Sequence, residues 1–278
     1  MNLSRKNFLR TLGLGAGTLA GASLLPGFRS SSAVAQPLTL GLASYTLREF
    51  SLDETIAMTL RVNLTHIALK SMHLPLDSTE NQIRTAAKKV RDAGLNLYGA
   101  GVIYMKTEEQ VDQAFAYAKA AGMSVIIGVP EYNLLARAEE KVKETNIRLA
   151  IHNHGPGDDV YPGPDTIYEK IKDLDSRMGI CMDIGHTRRI GQDPAAMARK
   201  YASRLYDIHL KDVNKEGKDG VPVELGRGII DIPGFLSALQ KIKYTGVVGL
   251  EYEKDGKDPL PGVAECVGYT HGVLDTRA

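Results

Sequence analysis

Cysteine is almost missing from this chain. Its two residues, Cys181 inside an apolar run and Cys266 near the C-terminus, are too few for a disulfide framework even in an oxidising compartment, and both read as core packing. A basic surplus is missing too. Residues 1–35 hold Arg5, Lys6, Arg10 and Arg29 and no acid, so of 34 basic and 33 acidic residues the remainder keeps 30 and 33, a net charge of −3. Nothing in that balance attracts a phosphate backbone, so nucleic acid is excluded as a partner. No apolar run is long enough to span a bilayer: in "TLGLGAGTLAGASLLPG" Gly and Thr keep interrupting, and no Cys follows for lipidation. Linkers, low-complexity tracts and charge blocks are lacking as well, so residues 36–278 read as one domain.

The first 35 residues have another character. "MNLSRKNFLR" is basic, a weakly apolar Gly-rich stretch follows, and Ala33-Val34-Ala35 is a small-x-small cleavage site before Gln36. Ser4-Arg5-Lys6-Asn7-Phe8-Leu9-Arg10 reads as a twin-arginine export signal with Lys in place of the second Arg, a general secretory signal being the alternative. The expected location is periplasmic or otherwise extracytoplasmic, without stable membrane insertion after cleavage.

The whole 278-residue chain is 43% hydrophobic and 24% charged, enough to bury a real core. Short β-rich runs are predicted at 38–45, 65–70, 95–101, 124–129, 148–154, 178–186, 205–212 and 247–253. Amphipathic helical patterns lie between them, several opening on Ser, Thr or Asp and closing on Gly. Eight βα units in this length predict a single (β/α)8 TIM barrel.

The later strands share a parity. Leu149 and Ile151 alternate with Ala150 and His152; Ile180, Met182 and Ile184 with Cys181 and Asp183; Tyr206, Ile208 and Leu210 with Asp207, His209 and Lys211; Val248, Leu250 and Tyr252 with Gly249, Glu251 and Glu253. In a barrel the bulky set packs under the helices and the other set faces inward. The inward polar residues singled out at the C-terminal ends of strands 5 to 8 are His152, Asp183, His209 and Glu251. Two imidazoles and two carboxylates from four adjacent strands make a ligand set for one divalent cation; a hydrogen-bonded polar network is the bland alternative.

"MGICMDIGHTRRIGQD", "RLYDIHLKD" and "GVVGLEYE", with "LGRGIIDIPGF" between the last two, resemble the xylose isomerase-like TIM-barrel family, also called sugar phosphate isomerase/epimerases. The resemblance implies a metal held by Glu, Asp, His and Glu on strands 5 to 8, and Asp183, His209 and Glu251 match the last three. His186 matches a substrate-contacting histidine, and Lys211 stands in the HxKD form of many members. The departure is strand 5, where His152 replaces the usual Glu and leaves Asn153 and His154 to line the pocket. A symmetrical epimerisation between two glutamates is therefore not inherited.

The chemistry expected is metal-assisted deprotonation beside a carbonyl of a non-phosphorylated sugar or keto-sugar, giving an enediolate and then isomerisation or epimerisation. The alternative is β-elimination by a 3-keto-glycoside lyase or hydratase, a type that exported relatives resemble; a non-catalytic sugar-binding barrel is the third reading. Endonuclease IV chemistry is disfavoured by seven histidines in all. Catalytic candidates are Glu251, His152, His154 and Lys70. Substrate-binding candidates are His186, Lys211, His73, Tyr45 and Glu131, with Arg48 and Tyr104 at the rim. Manganese is the first expectation for the cation, with magnesium, cobalt or zinc as alternatives, and a homo-oligomer is allowed. The "HGPGDD" loop has the glycines of an anion cradle, but Asp158 and Asp159 oppose an anion there.

Overall fold

Helix caps and strand alternation carry the architecture in the computed structural model, which describes residues 37–276. The expected export signal lies outside the described residues. Eight parallel strands close into a barrel in sequential order: β1 Thr39–Ala43, β2 His66–Leu69, β3 Asn96–Met105, β4 Val125–Pro130, β5 Arg148–His152, β6 Met178–Asp183, β7 Leu205–Leu210 and β8 Val247–Leu250, which pairs back with β1. Nine helices follow in chain order among the described residues: α1 Leu52–Arg61, α2 Glu80–Asp92, α3 Glu108–Ala121, α4 Leu135–Thr145, α5 Pro164–Ile171, α6 Ile184–Arg189, α7 Pro194–Lys200, α8 Ile232–Lys241 and α9 Leu260–Asp275. No helix among them is long and apolar enough to cross a membrane.

Local chemistry sets the helix ends. Ser51 and Glu54 form a reciprocal capping box at α1, Thr79 and Gln82 another at α2, and Thr107 caps α3. Gly122 ends α3 with φ +64°, a left-handed turn in which glycine carries no Cβ penalty.

The alternation read in the sequence sorts the core. Ala68, Tyr98, Val125, Ile127, Ala150, Cys181 and Val247 pack inside the barrel, while Leu149, Ile151, Ile180, Ile208 and Val248 join the larger core under the helices. The inner layer needs small residues, since a Cβ on Gly41 would lie 2.6 Å from Val247 Cγ1.

Strands 5 to 8 end earlier than predicted, at His152, Asp183, Leu210 and Leu250. The reason is clearest at β6. The Asp183 carboxylate accepts the His186 N–H at 2.8 Å, so the next residue, Ile184, begins a helix instead of continuing the strand. Helices α4, α6 and α9 were not singled out in the sequence.

Candidate metal centre and cavity

Four strands deliver the inward polar residues to one level at the C-terminal end of the barrel. Asp183 is in register with His209, and the Glu251 N–H donates to Leu210 O at 3.0 Å, extending the β7–β8 ladder by one residue. His152 Nε2 lies 3.1 Å from His209 Nδ1 and 3.7 Å from Asp183 Oδ2, and His209 Nδ1 lies 3.0 Å from Glu251 Oε2. One ligand atom from each of the four residues lies within 4.8 Å of every other. All four side chains are buried.

The donor set fits a divalent cation. Asp183 Oδ2 makes no hydrogen bond of good geometry although the Lys211 ammonium stands 2.9 Å away, and two nitrogens and two oxygens converge on one point. Such a cluster of lone pairs is costly unless a positive charge sits among them. Burial holds the His152 imidazole well below its usual pKa, leaving it neutral as a ligand must be. Asp183 and Glu251 are also buried, yet His186, Lys211 and His152 around the first, and His209 and Lys211 around the second, hold both carboxyls well below the ordinary range.

Beneath the four ligands lie Asp207, which the alternation placed on the inner face without a role, and Cys181, expected there as core packing. Asp207 Oδ2 accepts the Cys181 thiol at 3.3 Å and faces His209 Nε2 at 3.7 Å. Burial raises the Asp207 carboxyl to about 7. At 3.7 Å the approach to His209 is not a hydrogen bond, and His209 Nε2 is buried without one.

Above the ligands opens a cavity of about 240 Å³ lined by Tyr45, Lys70, Val102, Tyr104, His152, His154, His186, Glu251 and Glu253. His154 is bracketed. Its Nε2 lies 2.8 Å from the Tyr104 hydroxyl and its Nδ1 lies 3.0 Å from Asp158 Oδ2. The other Asp158 oxygen accepts the Val160 and Tyr161 N–H groups at 2.7 and 2.9 Å, which fixes the carboxylate behind the imidazole. Burial lowers the His154 pKa despite the nearby carboxylates. Lys70 donates to Val102 O at 2.7 Å and stands 5.8 and 5.7 Å from the Tyr45 and Tyr104 rings; burial lowers its pKa also. His186 faces the same space with its pKa pushed down to about 4, chiefly by burial.

Four sequence expectations find other places. His73 bonds Ser44 Oγ at 2.9 Å and Leu47 O at 3.1 Å, pinning the turn after β1 to the loop after β2 instead of lining the cavity. Glu131 is exposed, because the chain leaves the barrel at Pro130 and aims that side chain at solvent. Asn153 does not line the pocket: its amide bonds the Asp183 N–H, the Asp183 carbonyl and Thr187 Oγ1, strapping β5 to α6. Lys211 is buried among carboxylates rather than presented to a substrate, and Arg48 stays at the rim, over the Tyr45 ring. Val102 and Glu253 are the lining residues not singled out from the sequence; for Glu253 its parity with Glu251 was the available signal.

Comparison with known proteins agrees with this fold. The chain matches the sequence pattern of the xylose isomerase-like TIM barrel family over residues 67–269. It is 25% identical over 202 residues to inosose dehydratase of Clostridium perfringens, covering 63% of each chain. The curated relatives are matched over 30–63% of their own lengths. Among solved structures, the IolI protein with a bound zinc atom superposes with a TM-score of 0.73 at 15% identity, covering 86% of this chain and 99% of that one. L-ribulose 3-epimerase gives a TM-score of 0.70 at 16% identity, covering 86% and 95%.

Proposed function

The chain belongs to the xylose isomerase-like TIM barrel family, and from that premise we propose that it is a divalent-metal-dependent lyase. Its substrate would be a keto-sugar or keto-glycoside, deprotonated beside the carbonyl and then relieved of a β-oxygen substituent. The observation that carries this reading is the pairing of two unlike groups on one cavity: a neutral imidazole backed by a carboxylate, His154 with Asp158, and a half-buried ammonium, Lys70. In their resting protonation states a neutral imidazole and an ammonium fill the two roles that elimination needs, a base at the acidic carbon and an acid at the departing oxygen.

A cation held by His152, Asp183, His209 and Glu251 would supply Lewis acidity at the substrate carbonyl, making the adjacent C–H acidic. His154 takes that proton, and Asp158 stabilises the imidazolium that results. Lys70 gives a proton to the departing oxygen, and its lowered pKa makes that transfer easier. The Tyr104 hydroxyl, which lies 2.8 Å from the same His154 Nε2, gives that nitrogen up to the substrate C–H. The Tyr45 ring and His186 present an apolar face and a ring nitrogen to the sugar. The carboxylates of Glu251 and Glu253 on the wall disfavour a phosphorylated substrate. Export by the N-terminal basic segment belongs to the same proposal, since free keto-glycosides rather than sugar phosphates are the substrates of an extracytoplasmic enzyme.

Mn²⁺-loaded protein is incubated in D₂O with methyl and 4-nitrophenyl 3-keto-β-glucosides. Release of the aglycone with a C1=C2 enone left on the sugar is the expected result, deuterium entering C2 of the substrate that has not yet eliminated. Deuterium with a rearranged sugar and no release would replace the lyase by an isomerase or epimerase, the second reading, which the Asp183, His209 and Glu251 set favours. No exchange and no release would remove both.

A further inference from the structure

Lys211 is where no solvated lysine would be. Its side chain is 3% exposed, and its ammonium lies 2.9 Å from Asp183 Oδ2, 3.0 Å from Glu251 Oε2 and 2.6 Å from Glu253 Oε1. Two of those oxygens are not its own. Asp183 Oδ2 also faces His152 Nε2, and Glu251 Oε2 also faces His209 Nδ1. An ammonium and a divalent cation therefore address the same carboxylate edge. Gly185, at the start of α6, makes room for the stem, since a Cβ there would lie 2.8 Å from Lys211 Cγ and Cδ. The third carboxylate, Glu253, belongs to the lysine alone and is outside the four-residue ligand set.

We propose that Lys211 is a resident counter-ion that sets the affinity of the cation site, holding the shared oxygens of Asp183 and Glu251 in metal-free protein and yielding them to an incoming divalent ion while it stays on Glu253. Two buried carboxylates and a partly buried third, without a positive neighbour, would repel one another, and the two buried ones would forfeit their hydration. One ammonium relieves most of that cost, so the barrel mouth closes before any metal arrives. The same ammonium then stands against the metal, because the two positive charges share ligands. Affinity is thus reduced in exchange for a site that folds empty.

The inference rests on the cation site of the proposed function, and calorimetric titration of the full-length protein with Mn²⁺ separates the two. Lys211→Met is expected to bind Mn²⁺ about 10- to 100-fold more tightly, the range seen for changes just outside a ligand set, and to melt at a lower temperature when metal-free. Lys211→Arg keeps the charge in case the Met variant does not fold. Its planar fork grips carboxylates in pairs and gives them up less readily, so Mn²⁺ binding is expected to weaken about tenfold. Equal affinity in wild type and both variants, or weaker binding in Lys211→Met, would overturn the inference and leave the cation site standing. Absence of Mn²⁺ binding in the wild type would overturn both.

Discussion

At the scale of single residues, the unlike pair on the cavity gives the sharpest expectations. His154→Gln keeps a polar side chain beside Tyr104 but removes the base, and C2 deuterium exchange should fall by about 10²- to 10⁴-fold. Lys70→Met removes the acid. Release of methanol should then fall far more than release of 4-nitrophenol, whose oxygen departs without help; equal losses would show that Lys70 only positions the substrate. The thiols make a second, independent check. Burial pushes the Cys266 thiol up to about 11 and the Cys181 thiol well above its usual value, so both stay protonated at pH 8 and neither is nucleophilic. Ellman's reagent should find no reactive thiol in native protein and two after denaturation. Fast labelling of the native state would contradict the packing around β6 and α9.

At the scale of elements, the loops after the strands decide where side chains stand. Alternation placed His209 and Lys211 on the inner face, but it said nothing of what fixes the segment that follows. Asp212 does this. Its two oxygens accept N–H groups from Val213 and Ile230, at 2.9 and 3.2 Å, and from Gly226 and Gly228, each at 3.0 Å. One buried carboxylate thus gathers "LGRGII" back onto the end of β7. Gly228 is obligatory in that arrangement, because a Cβ would fall 2.2 Å from Asp212 Oδ1. Asp212→Ala should cost roughly 3 kcal/mol, as several buried donors lose their acceptor at once. Urea unfolding measures it, and a change below about 0.5 kcal/mol would mean that water replaces the carboxylate. His73 and Glu131 belong to the same lesson. Each follows a strand and so looked like a rim contact, yet one turns back to bond the Leu47 carbonyl while the other leaves for solvent. At these two positions the turn, not the strand's parity, sets where the side chain points.

At the scale of the whole molecule, a cation joining β5 to β8 should act as a tie across half the barrel. Binding to the folded state alone at 100 times the dissociation constant adds about 2.7 kcal/mol. For a domain of this size that raises the melting temperature by about 5–10 °C. Thermal unfolding with excess Mn²⁺ and with EDTA measures the difference, and superimposable curves would argue against a site bridging these strands.

Much of the architecture is legible in the sequence alone. Eight apolar runs, their alternation and the capping residues determined the barrel and its inner face, because strand periodicity and helix termination are local properties of the chain. The same alternation marked His152, Asp183, His209 and Glu251, since a polar residue on an inward position announces itself against apolar neighbours. Only the tertiary structure decided that Asp158 stands behind His154, that Lys211 is caged by three carboxylates, and that Asn153 is a strap. Those relations depend on distances between residues up to 42 positions apart, and no sequence period encodes them; they are set by how closing the barrel brings strand ends and loops together.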